Sequence, residues 1–181
     1  MAQYLEQYVP VVKFDGLNTQ KATVLESTLA VTGASTFTGI ATFAAVPVFS
    51  GGTVDNTEVV TATNVITAAE SGKTFFLSAV AGFESTLPTA AAGLTFRFIV
   101  ATAPTSNGYT ITGSPADKIF GTVACSGAED TVNGVTGNAA DNAILVANVA
   151  LIGDLLEFYS DGTNWYITGN VNTFAAVTMN G

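Results

Sequence analysis

From Ser27 to Val54 the chain carries no charged side chain. Read in sixes from Ala30, this stretch forms four rows: AVTGAS, TFTGIA, TFAAVP and VFSGGT. The second column is Val31, Phe37, Phe43 and Phe49, and the fourth is Gly33, Gly39, Ala45 and Gly51. An even period keeps each column on one face of extended chain, because strand side chains alternate with period two. The glycine and alanine column allows a turn or a close backbone approach. A segment this thin has no second layer in which to bury three phenylalanines. Winding with identical copies supplies one. In a trimer, nine phenylalanines meet near a common axis, a gross burial on the order of 14–27 kcal/mol. The hexads therefore predict a short β-structured trimeric stalk. The plainer alternative is a low-complexity linker whose period is accidental.

Charge is scarce in the rest of the chain as well. Charged residues make up 10% of the 181 residues and hydrophobic residues 48%, against roughly 25% charged in ordinary soluble domains. Disordered chains need the opposite balance, and coiled coils need charged heptads. Few charges also leave little with which to cover the surface of a free monomer. The net charge is −9, and the five cations, Lys13, Lys21, Lys73, Arg97 and Lys118, are scattered. Nucleic acid requires clustered cations, and anionic membranes are disfavoured on the same ground. The most apolar window, Ala143 to Ile152, is too short to span a bilayer. No basic, apolar leader is evident at the start of the sequence, so synthesis in a cytosol is expected.

Histidine is absent, which removes histidine-based triads, most zinc sites and the usual general base near neutral pH. Cys125 is the single cysteine and reads as a small buried apolar residue. Ser71-Gly72-Lys73-Thr74 resembles the end of a phosphate-binding loop. The motif's first glycine would fall at position 67, which is threonine, and the segment leads into a strand. It reads as a turn followed by a strand. Asp154, Glu157, Asp161, Glu129 and Asp130 read as solvated loop acids, with a calcium site from some of them as the alternative. Trp165 reads as a core anchor in preference to a sugar platform. No catalytic residue, cofactor or metal is assigned, and an enzyme is not expected.

Three segments follow: an arm over 1–26, the stalk over 27–54 and a domain over 55–181. Short strands are expected at 73–77, 94–100, 109–112, 118–120, 143–150, 155–159 and 165–168. They are separated by turn residues, as at Asn107-Gly108 and Ser160-Asp161-Gly162-Thr163-Asn164. The fold class is all-β, and the strand spacing predicts an antiparallel β-sandwich or jelly roll.

The stretches Val65 to Leu77, Leu87-Pro88, Ala92 to Val100 and Gly153 to Gly169, the last with Ser-Asp-Gly-Thr-Asn-Trp-Tyr, resemble the outer domains of tailed-bacteriophage virion proteins. Head fibres, capsid decoration proteins and some tail-fibre tips share such endings. The Thr-Gly-Ala-Ser-Thr-Phe-Thr-Gly text of the stalk is similar to phage fibre shafts. The resemblance spans about residues 60–170 and implies a homotrimer on the virion surface. It implies a capsid decoration protein or short head fibre, whose arm grips the major capsid protein through Tyr4, Leu5, Tyr8, Val9, Val11, Val12 and Phe14. The alternative it implies is a tail-fibre tip that recognises host surface glycans.

Overall fold

The computed structural model describes residues 54–126, 135–137 and 141–180, and among these the chain is almost wholly β. Twelve strands follow one another: β1 (Thr57–Val60), β2 (Asn64–Val65), β3 (Thr74–Leu77), β4 (Glu84–Thr86), β5 (Thr95–Val100), β6 (Tyr109–Thr112), β7 (Ile119–Cys125), β8 (Val135–Gly137), β9 (Ala143–Val146), β10 (Leu155–Ser160), β11 (Trp165–Val171) and β12 (Val177–Asn180). The only helical pieces among the described residues are two 3-10 turns, Ala68–Glu70 and Phe174–Ala176. The arm residues Tyr4, Leu5, Tyr8, Val9, Val11, Val12 and Phe14 lie outside the described residues, as do the stalk residues Val31, Phe37, Phe43 and Phe49.

Seven strands form a large sheet in the order β1-β3-β5-β10-β11-β7-β8, and five form a smaller one in the order β12-β9-β6-β4-β2. From β1 to β6 the chain alternates between the sheets. Each new strand joins the previous strand of its own sheet in parallel. The chain thus makes three successive coils, stacked in register Thr57↔Thr74 and Thr74↔Arg97 in the large sheet. β7 also pairs in parallel, with β11. The remaining pairings are antiparallel.

This corrects the expected antiparallel sandwich or jelly roll, because both sheets are mixed. Turn residues mark where a strand ends, not which neighbour it takes. Parallel neighbours need a crossover, and here the crossover is a strand of the opposite sheet.

Why these segments become strands is clearest in β5, Thr-Phe-Arg-Phe-Ile-Val. Phe96, Phe98 and Val100 are buried, while Arg97 between them is exposed. β10 repeats the pattern with Leu156 and Phe158 inside and Tyr159 outside. Aromatic and β-branched residues suit such a half-buried pleat. Inward side chains of both sheets join one buried cluster that includes Phe75, Phe98, Phe158 and Trp165 from the large sheet and Tyr109, Ile111 and Ile144 from the small one. Within it, Phe75 stacks on Phe98 at 5.3 Å, and Phe158 meets Phe98 edge-on at 5.5 Å. Each fully buried side chain of this size contributes about 1.5–3 kcal/mol.

Tyr109 joins the two sheets with its polar end. Its ring is fully buried, and its hydroxyl accepts the Ala79 N–H at 2.9 Å. The same oxygen lies 2.6 Å from the Thr102 carbonyl and 2.8 Å from the Ala79 carbonyl. The end of β6 is thereby tied to the segments leaving β3 and β5.

Two expected strand limits shift. Residues 143–150 yield only β9, because Ala147 to Ala150 close a turn through Ala150 N–H to the Ala147 carbonyl. β7 runs on through Gly121 to Cys125. Gly121 has φ +125°, and a Cβ there would strike the Ile167 backbone of the paired strand. A glycine that looks like a strand end is thus a strand interior that only glycine fits.

Candidate functional site

The hairpin between β10 and β11 shows how the Ser-Asp-Gly-Thr-Asn-Trp-Tyr segment is used. Asp161 Oδ1 accepts the backbone N–H groups of Thr163 and Asn164, both at 2.8 Å. Gly162, at φ +104°, packs against Ala92. Trp165 is fully buried against Phe96 and Phe158, which agrees with its reading as a core anchor. Tyr166 points the other way. It is 43% exposed, and its hydroxyl donates to Asp161 Oδ2 at 3.0 Å. The bonds to Asn164, Thr163 and Tyr166 hold the Asp161 carboxyl below its ordinary range. The same carboxylate pushes the Tyr166 phenol up.

Other acids prove to be structural. Asp154 was expected to be solvated, but it is buried. Its Oδ2 accepts the Leu151 N–H and its Oδ1 the Asn172 N–H, both at 2.9 Å. Asp117, also buried, accepts the Ala90 N–H at 2.7 Å. These short side chains sit where backbone donors leave the sheets, and a buried amide needs an acceptor. Glu129 and Asp130 lie outside the described residues. Cys125 is half-buried rather than buried, at the end of β7, with its thiol 3.8 Å from the Asn172 carbonyl.

Ser71-Gly72-Lys73-Thr74 is a turn into β3, with Gly72 at φ +85°. Lys73 is a clamp and holds no phosphate loop. Its ammonium meets Glu58 of β1 at 2.8 Å and Glu70 at 2.6 Å. Those bonds, to Glu58 first, raise the Lys73 pKa. The Glu70 carboxyl is held low, chiefly by Lys73 and then by the Thr67 amide.

On the outer face of the large sheet, cross-strand register builds three rows. One is apolar: Val59, Phe76, Ile99 and Leu155. The next is polar: Thr74, Arg97, Glu157, Thr168 and Thr122. The third is Thr95, Tyr159, Tyr166 and Phe120. Arg97 Nη2 and Nε both lie 2.9 Å from Glu157 Oε1. Between the polar and aromatic rows lies a shallow pocket of about 230 Å³, whose lining includes Lys73, Thr95, Arg97, Glu157 and Tyr159. Tyr159 is 45% exposed. The rings of Phe120 and Tyr166 are 6.1 Å apart.

This face was only partly readable beforehand. Tyr159 and Tyr166 sit symmetrically about the hairpin turn, so their pairing follows from it. Phe120 joins them only through the parallel pairing of β7 with β11, which no local pattern announces. Among the described residues, no three histidine, cysteine or acidic side chains group as metal ligands. No helix among them is long and apolar enough to cross a membrane.

Comparison of the chain with protein-family models, with curated proteins and with solved structures found no match. What is shown is the all-β class and the face just described.

Proposed function

We propose that this chain is a structural protein of a tailed-bacteriophage virion, a homotrimeric capsid decoration protein or short head fibre. One observation carries the reading: residues that the sequence offers as chemistry are consumed by architecture. Asp154 and Asp161 hold backbone amides. Trp165 fills the core, and Lys73 staples the first coil to the second. The motif that resembles virion proteins is therefore a folding device, as suits a protein whose task is to persist on a particle surface.

Scarce charge and the outer apolar row support burial against other chains. Val59 is 63% exposed in that row, and Ile152, three residues before β10, is 69% exposed. Patches of this kind mark interaction surfaces. The arm, through Tyr4, Leu5, Tyr8, Val9, Val11, Val12 and Phe14, is the anchor to the major capsid protein, adding a strand or a plug to the shell.

The test is to mix full-length protein, and protein lacking residues 1–14, with capsids devoid of it. Full-length protein sediments with capsids, and the truncated protein stays folded but unbound. Binding by the truncated protein would remove the anchor, and no binding by either would remove the capsid role.

A further inference from the structure

The aromatic row and the pocket beside it have no part in the capsid role, and their construction is that of a binding shelf. Tyr159, Tyr166 and Phe120 are cross-strand neighbours on β10, β11 and β7. The Phe120 and Tyr166 rings stand 6.1 Å apart, and with strands about 4.8 Å apart the three residues span about 10 Å across the sheet, the length of two pyranose rings. At the Tyr159 end the shelf runs into the pocket of Lys73, Thr95, Arg97 and Glu157.

We infer that this shelf and pocket bind a neutral saccharide chain. Three observations fit that ligand class together. First, both tyrosines are more than two-fifths exposed in the midst of a sheet face, offering flat apolar surface with a polar edge. Second, the Tyr166 ring is set before any ligand arrives, because its hydroxyl is held by an Asp161 whose other oxygen is fixed by two amides. A pre-set ring loses little freedom on binding. Third, both cations of the pocket lining are already paired, Lys73 with Glu58 and Glu70, and Arg97 with Glu157. An anion therefore finds no free cation there, whereas sugar hydroxyls find donors and acceptors in the Arg97–Glu157 pair and in Thr95. A peptide would be drawn instead to the apolar row, which lies on the far side of the polar row from the rings.

This inference goes beyond the virion role and does not depend on where on the particle the protein sits. The test is saturation-transfer NMR on the full chain, irradiating aromatic protons. The probes are linear hexasaccharides of glucose, galactose, mannose and N-acetylglucosamine. At least one is expected to receive saturation and to titrate to a plateau. Tyr159→Ala and Tyr166→Ala each weaken that binding by about tenfold, as loss of an aromatic anchor does. Tyr166→Phe, which keeps the ring but releases it from Asp161, weakens binding less than Tyr166→Ala does, and Val65→Ser on the other sheet changes nothing. Melting curves confirm that each variant is folded. No transfer to any of the four probes overturns the inference, and so does binding that survives both alanine variants. Loss of capsid binding in the alanine variants, without saccharide transfer in the parent, would reassign the shelf to a protein contact and overturn it equally.

Discussion

Removing one oxygen atom from Tyr109 tests how the two sheets are joined. In Tyr109→Phe the ring remains, so core volume hardly changes. The hydroxyl that accepts the Ala79 N–H at 2.9 Å and reaches the Thr102 carbonyl at 2.6 Å is lost. Ala79 N–H then has no acceptor in a part-buried place, a cost of about 1–3 kcal/mol, and the lost donation adds about 1 kcal/mol. The expected destabilisation is about 2–4 kcal/mol, a fall in Tm on the order of 10 °C for a domain of this size. Urea titration followed by near-ultraviolet circular dichroism measures it, with an unchanged m-value expected.

The pH dependence supplies a second check on the same residue. Burial pushes the Tyr109 phenol above its ordinary value. Its contribution is complete below the unfolded tyrosine pKa of about 10 and is lost as pH rises through the higher folded value. The gap between parent and variant should therefore close at high pH. A loss below about 0.5 kcal/mol, a figure typical of surface substitutions, would refute the bridging role of the hydroxyl.

Four further outcomes follow from the same geometry. Asp154→Ala removes the acceptor of two buried-side amide bonds and should cost about 3–5 kcal/mol by chemical denaturation. Gly121→Ala, forced to a positive φ against the Ile167 backbone, should cost about 2 kcal/mol or more in the same assay. Trp165→Phe should cost under about 2 kcal/mol, less than a typical tryptophan truncation. The indole N–H that it deletes is buried without a partner among the described residues. Arg97→Gln breaks a partly exposed ion pair and should change stability by at most about 1 kcal/mol, so any effect it has on ligand binding is separable from folding.

How much of this was legible in the sequence depends on the range of the interactions. Strands with an internal signal were found nearly to the residue: β6 at Tyr109–Thr112, the alternating β5, and the β10–β11 hairpin with its turn at Asp161 to Asn164. Trp165 inside and Tyr166 outside follows from alternation alone. The short strands β1, β2, β4, β8 and β12 were missed. Each has two to four residues, too few for a period to show, and is fixed by its neighbour. Parallel stacking of the first three coils was invisible for the same reason, since it depends on partners some twenty positions apart. Asp154 was misread because an acid between Gly153 and Leu155 looks like a turn residue. Its bond to the Leu151 amide is local, but its second bond comes from Asn172, far along the chain. The candidate face was half legible: the tyrosine pair comes from the hairpin, whereas Arg97–Glu157 and Phe120 require the sheet order.

The native molar mass of the full chain, by light scattering with an unheated denaturing gel alongside, is the most direct test of a trimeric virion protein. A mass of three 18.4 kDa chains that survives unheated detergent is the result predicted from the six-residue repeat that carries Phe37, Phe43 and Phe49. A single chain of 18.4 kDa under both conditions would contradict it, and with it the proposal that this protein is built as a virion fibre or decoration trimer.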